Sequence, residues 1–141
     1  LVCDIRIAAE HAKLSLSEIN MGIIGAIPYG ASIGASGTIR KLVYSGESIT
    51  AEQAYYAGIV DEVVPAADLM TRCVALAEKI AAKAPVALRK AKEVLVAATE
   101  QLMQDTIALE TAAIGELWDT EDKTEAVTAF LEKRQPRFQG R

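Results

Sequence analysis

The chain has 141 residues, 51% of them hydrophobic, which is enough apolar material to close one core and argues against disorder. Its 15 Lys+Arg and 19 Asp+Glu are spread along the chain for a formal net charge of -4, and no basic stripe with interleaved aromatics marks a nucleic-acid partner. No apolar run has the length of a bilayer span and the first residues show no basic leader with a cleavage site, so the expectation is a cytoplasmic protein with no membrane partner. Cys3 and Cys73 lack CxxC or Cys/His spacing and are expected to be reduced and buried; with a single histidine, no metal site is expected.

In chain order, Leu1 to Ala8 and Leu14 to Leu16 predict short strands around a turn at Glu10 and His11, and Val60 to Val64 predicts a third. The first of these is expected to be a central strand, buried on both sides. Between them, Gly22, Gly25, Gly30, Gly34 and Gly37 with Pro28 predict a loop that brings backbone close to a ligand. A helix follows from about Ser36 to Tyr44 and stops at Gly46, where glycine can take the left-handed terminal conformation. Thr50 and Gln53 are spaced as a capping box that opens the next helix, and Gly58 ends it.

Beyond Pro65 the character changes to alanine-rich helices. Leu69, Cys73, Leu76 and Ile80, then Leu88, Ala91, Leu95 and Ala98, recur at three- and four-residue steps, with Pro85 between the two sets. A third helix, from about Glu100 to Trp118, carries Leu102, Leu109, Ala113 and Leu117 beside Met103, Ile107, Ile114 and Trp118. That stripe is wider than one neighbour would cover and predicts a subunit interface. A last helix starts near Asp119 or Thr120 and is expected to bury Val127, Phe130 and Leu131 before the basic tail from Lys133 to Arg141. Periodicity alone thus gives α/β followed by all-α, with no internal repeat.

Three stretches, CDIRIAAEHAKLSLSEINMGII, SGESITAEQAYYAGIVDEVVP and TEDKTEAVTAFLEKRQPRFQGR, resemble three segments of the enoyl-CoA hydratase/isomerase (crotonase) family in the order that family has them. The likeness covers nearly the whole chain and corresponds to the C-terminal half of the family's pattern. It implies a crotonase-like (ClpP/crotonase) α/β fold, with residues 1–65 as the C-terminal part of the acyl-CoA-binding core and 66–141 as a helical C-terminal region used for oligomerisation.

In that family the strand with the Cys-Asp pair leads to a glutamate at the acyl-CoA reaction centre, and Glu18, with Asp4 and Gly22 in the family's spacing, falls on it. An ordinary solvated loop carboxylate is the bland alternative. Adding water across a 2,3-double bond, or moving that bond, requires a proton carried to or from the carbon beside a thioester carbonyl. A carboxyl does this near neutral pH when a dry site raises its pKa, while aimed donors hold the charge developing on the thioester oxygen. The resemblance puts those donors, and the hydratases' second glutamate, in segments before the position of Leu1, so the chain alone is expected to be inactive.

The loop after Glu18 departs from the family's P-G-x-G-G-T-Q-R-L-like form, and residues Ser36 to Arg40 fit better as the start of the next helix. Gly22, Ile24 and Tyr29 are the residues that the resemblance assigns to the substrate wall, although Tyr29 also suits a turn tyrosine that packs its ring. Phe130 and Lys133 fall where the family sets an aromatic ring and an ammonium against CoA, often from a neighbouring subunit; a helix-end core residue and a solvated lysine are the alternatives. His11 is expected at the surface and Trp118 in core or interface.

The implied function is an enoyl-CoA hydratase or isomerase acting on an acyl-CoA thioester through an oxyanion-stabilised enolate, as a homotrimer or dimer of trimers. No cofactor is expected beyond the coenzyme A of the substrate. A decarboxylase or thioester hydrolase on the same fold, or a non-catalytic fragment or assembly partner, are the alternatives.

Overall fold

A computed structural model describes residues 2–34 and 36–141, with the side chains of residues 36 and 99–102 outside the description. Along the chain run β1 (Ile7–Ala9), β2 (Lys13–Ser15), a 3-10 turn (Glu18–Met21), α1 (Ile27–Ser32), α2 (Ser36–Ser45), β3 (Ser48–Thr50), α3 (Ala51–Tyr56), β4 (Glu62–Val64), a second 3-10 turn (Ala66–Asp68), α4 (Leu69–Ala81), α5 (Pro85–Trp118) and α6 (Glu121–Leu131). β1 pairs in parallel with β4, from Ile7↔Glu62 to Ala9↔Val64. β2 pairs antiparallel with β3, from Lys13↔Thr50 to Ser15↔Ser48.

The first strand is shorter than its apolar pattern predicts. Leu1 lies outside the described residues, Val2 and Ile5 are exposed, and among the described residues β1 has a ladder partner on one side only. At Arg6 backbone and side chain share the pairing: the Asp61 amide donates to the Arg6 carbonyl at 2.8 Å, the Arg6 amide donates to Asp61 Oδ2 at 2.7 Å, and Arg6 Nε donates to the Ile59 carbonyl at 2.6 Å. Val60 was expected to open a strand but does not; the Ile59 and Val60 amides both donate to the Ala54 carbonyl at the end of α3. β3, whose single apolar residue Ile49 stands between Ser48 and Thr50, was not anticipated and pairs with β2.

The core gathers Leu16, Ile39, Leu42, Ile49, Ala54, Ile59 and Val60. Ile39 and Leu42 share one face of α2, and each such aliphatic side chain stabilises the fold by roughly 1.5–3 kcal/mol when fully buried. α2 ends at Gly46, whose amide donates to the Leu42 carbonyl at 2.9 Å and whose left-handed φ of 63° turns the chain out of the helix. The capping box of α3 forms as its spacing predicts: Thr50 Oγ1 accepts from the Gln53 amide at 3.2 Å, and Gln53 Oε1 accepts from the Thr50 amide at 2.9 Å.

The glycine-rich segment is not loop throughout, because it contains α1. Pro28 sits in the first turn, where its missing N–H costs nothing, and the Ile27 amide donates to Glu110 Oε1 of α5 at 2.8 Å. That partner lies 83 residues away, and a six-residue helix is too short for periodicity to show.

The two helices expected either side of residue 99 are one, α5, which runs for 34 residues or roughly 50 Å. No glycine, proline or cap interrupts Val96-Ala97-Ala98, so nothing terminates it. Of the expected start at Glu100 and the stripe position Leu102, both side chains fall outside the description. Met103, Ile107, Ala113, Ile114 and Leu117 are half-buried, whereas Leu109 and Trp118, and Val94 and Leu95 earlier in the helix, remain exposed.

α4 half-buries Leu69, Cys73, Leu76 and Ile80 as their spacing predicts. In α6 the buried residues are Ala126 and Ala129, and Val127 is half-buried. Phe130 and Leu131 are exposed at 68% and 73%, contrary to expectation, because α6 approaches its neighbours on its small-residue face. Cys3 is also exposed rather than buried and Cys73 half-buried, both as free thiols.

Candidate functional site

Glu18 opens the 3-10 turn that follows β2. β2 is anchored on β3, Leu16 is buried, and two residues later the chain leaves the core with Glu18 half-buried. Its side chain shares a recess with Leu16, Ile19, Ile23, Ile24, Gly25 and Val43, whose walls are apolar apart from the carboxyl itself.

The turn is fixed at both ends. The Ile23 amide donates to the Glu18 carbonyl at 3.3 Å, and Gly22 closes the turn in the left-handed region, with φ 70°. Gly22 also faces the start of α6 so closely that a Cβ there would lie 2.7 Å from the Lys123 Cα. On the other side the Asn20 amide group packs against Gly46 at the end of α2. The beginning of α6 is itself held in place: Thr120 Oγ1 accepts from the Lys123 amide at 3.2 Å, and Glu121 and Asp122 stand at the positive end of the helix dipole.

Beside the turn lies an open, largely apolar cavity of about 500 Å³, bounded by Ile19, Gly22, Ile23 and Ile24, by Leu117 of α5 and by Phe138 of the tail. A larger cavity of about 800 Å³ lies between α6 and the tail and is lined by charged and polar groups, including Glu121, Glu125 and Arg134. None of the turn residues lines it; Ile19 and Gly22 of the turn line the smaller cavity, whereas Glu18 lines neither.

Of the residues singled out from the sequence, Glu18, Gly22 and Ile24 come together on this turn. Tyr29 is half-buried on α1, a helical residue rather than a turn one. Phe130 and Lys133 are exposed at the far end of α6, roughly 10–15 Å along that helix from Lys123 and Gly22. Asp4, part of the same motif as Glu18, instead meets Lys92 Nζ of α5 at 2.7 Å, and that hydrogen bond, with the lysine's charge, holds its carboxyl below the ordinary range. His11 is exposed in the turn after β1.

The tail folds back along α6. Asp122 Oδ1 and Oδ2 accept from the amides of Gln139 and Gly140 at 2.6 and 2.7 Å. Glu125 takes Arg134 Nη1 and Nη2 at 2.6 and 2.8 Å and the Arg137 amide at 2.9 Å. The Arg134 hydrogen bonds, ahead of the Arg137 amide, pull the Glu125 carboxyl down to about 2. Leu117, Phe138, Gly25 and Glu110 were not recognised as site residues. Their only sequence signals are a helical apolar step, a tail aromatic, one glycine among several and one exposed-looking helix carboxylate. Among the described residues no group of His, Cys, Asp and Glu is arranged to hold a metal ion, and no helix is long and apolar enough to cross a membrane.

The chain superposes on solved enoyl-CoA hydratase/isomerase-type structures with TM-scores of 0.82 and 0.88 over 98% and 97% of its length, which makes this a partial crotonase fold. The family model described as enoyl-CoA hydratase/isomerase matches residues 1–141, and the chain belongs to that family. It is 41% identical over 145 residues to the 2,3-dehydroadipyl-CoA hydratase of Escherichia coli K12, covering 100% of this chain and 56% of that protein. Carnitinyl-CoA hydratase from Mycobacterium avium superposes with a TM-score of 0.82 at 34% identity, over 98% of this chain and 55% of the other. Methylmalonyl-CoA decarboxylase complexed with 2S-carboxypropyl-CoA superposes at 0.83 with 29% identity, over 98% and 55%. The match thus fills this chain, and the chain spans about half the length of the relatives it matches.

Proposed function

We propose that this chain supplies the proton-transfer carboxyl, Glu18, of an enoyl-CoA hydratase or enoyl-CoA isomerase that acts on an acyl-CoA thioester through an oxyanion-stabilised enolate. The observation that carries this reading is the Glu18 side chain itself, half-buried in an apolar recess on a turn pinned between β2, α2 and α6 and next to an apolar cavity of about 500 Å³. A carboxyl held in this way can exchange one proton with the carbon beside a thioester carbonyl. Gly22, Ile24 and Tyr29 belong to the substrate side of this arrangement.

The oxyanion donors are assigned to the rest of the protein, so the chain alone is inactive on enoyl-CoA esters in this proposal. The exposed Leu109, Val94, Leu95 and Trp118 of α5 support a subunit interface; the family resemblance implies a homotrimer or dimer of trimers, in which Phe130 and Lys133 meet a neighbour's CoA. No cofactor beyond the coenzyme A of the substrate enters the scheme.

A decarboxylase is the second reading. It is favoured by the likeness to methylmalonyl-CoA decarboxylase. Product analysis decides between the two: the full-length protein is incubated in deuterated water with an enoyl-CoA and with a 2-carboxyacyl-CoA. Hydration or double-bond migration of the first supports the proposal. Release of carbon dioxide from the second alone would replace it with the second reading.

A further inference from the structure

We propose that Gly25 is a positioning residue for Glu18, its missing side chain leaving the room in which the Glu18 carboxyl lies. The inference rests on the proposed role of Glu18 and adds a residue to it. A Cβ built on Gly25 would meet Glu18 Cγ at 3.3 Å, Oε1 at 3.5 Å and Cδ at 3.6 Å, and these Glu18 side-chain atoms are its nearest neighbours. The tightest of these contacts falls within the range where a neighbour must yield, and the atoms that would yield are those next to the reacting oxygen. Gly25 therefore acts on the direction of the carboxylate rather than on the packing of the core.

Backbone movement cannot relieve this contact easily, because Gly25 sits between two fixed points. Upstream, the Ile23 amide is tied to the Glu18 carbonyl at 3.3 Å. Downstream, the Ile27 amide is tied to Glu110 Oε1 at 2.8 Å. Ala26, between Gly25 and that anchor, is held at φ 57°, a left-handed conformation that costs a non-glycine residue roughly 1–2 kcal/mol. Such a conformation persists only where the surroundings enforce it. Gly25 itself does not have a left-handed φ, so an alanine there meets no backbone strain and its effect reports on the Glu18 contact.

The test is a set of variants in the full-length protein, assayed on the ester it turns over. Gly25→Ala should lower kcat about tenfold to a hundredfold, as expected when a reacting group is misplaced by a fraction of an ångström to an ångström, with KM within about twofold of wild type. Should Gly25→Ala fail to fold, Glu18→Ala in the same chain should restore folding, since the three nearest atoms to the new methyl belong to Glu18. Wild-type kcat in Gly25→Ala, a loss that appears in KM rather than in kcat, or no rescue of folding would each overturn the inference. Glu18→Gln separates the two claims: if it abolishes turnover while Gly25→Ala is silent, the Gly25 inference alone fails. If Glu18→Gln itself is silent, the reading of Glu18 fails.

Discussion

Gly22 and the backbone of Lys123 are in direct opposition: a methyl group on Gly22 would lie 2.7 Å from the Lys123 Cα and 3.0 Å from its nitrogen. This contact, rather than contact with substrate alone, is the structural demand for glycine four residues after Glu18. Gly22→Ala would place a side chain at φ 70° and push α6 away from the turn. Left-handed strain and overpacking together should cost about 2–4 kcal/mol, read by denaturant unfolding of the full-length protein. A change below about 0.5 kcal/mol would mean that α6 does not bear on the turn.

What the sequence made legible follows from how local each signal is. The capping box of α3, the glycine stop of α2 and the half-buried face of α4 depend on residues within one or two turns of each other, and they came out as expected. β1 was overestimated because an apolar run shows that a segment suits a strand but not how much of its ladder partner extends alongside it. α1 was missed because what holds it is Glu110, on a distant helix. Phe130 and Leu131 were misassigned because periodicity gives a helix an apolar face without saying which face another element reaches; at α6 it was the alanines. Glu18 was singled out through its motif, whereas Gly25, whose built Cβ would lie 3.3 Å from Glu18 Cγ, gave no signal beyond being one of several glycines.

Tail docking should respond to acid through Glu125. Its folded carboxyl lies at about 2, below the ordinary 4.5, so the stabilisation it gives is fully present above about 4.5 and is lost as the pH falls from there through about 2. Hydrogen exchange at the Arg137 amide, which donates to Glu125 at 2.9 Å, should be protected at pH 5 and should lose protection towards pH 2 after correction for intrinsic rates. Glu125→Gln should remove that pH dependence. Protection at Arg137 that follows the same pH course in both proteins would contradict the assignment.

Lys133 is exposed and has a positive φ of 55°. Alanine at that position bears the same backbone strain, so Lys133→Ala isolates the ammonium. If Lys133 meets a CoA phosphate in the assembled enzyme, the variant should raise KM for CoA esters severalfold with little change in kcat, and the effect should shrink as salt rises. Equal KM values at low salt, or a protein that stays monomeric at high concentration, would leave Lys133 without this role.

The central claim is that Glu18 carries the proton, and its most direct test is steady-state turnover of Glu18→Gln in the full-length protein beside an independent measurement of CoA-ester binding. Because the amide keeps the shape of the side chain and removes the transferable proton, kcat should fall about a hundredfold or more while the Kd for the ester stays within a few-fold of wild type. A Glu18→Gln enzyme that turns over within a few-fold of wild type would contradict the account and leave Glu18 an ordinary carboxylate on a well-anchored turn.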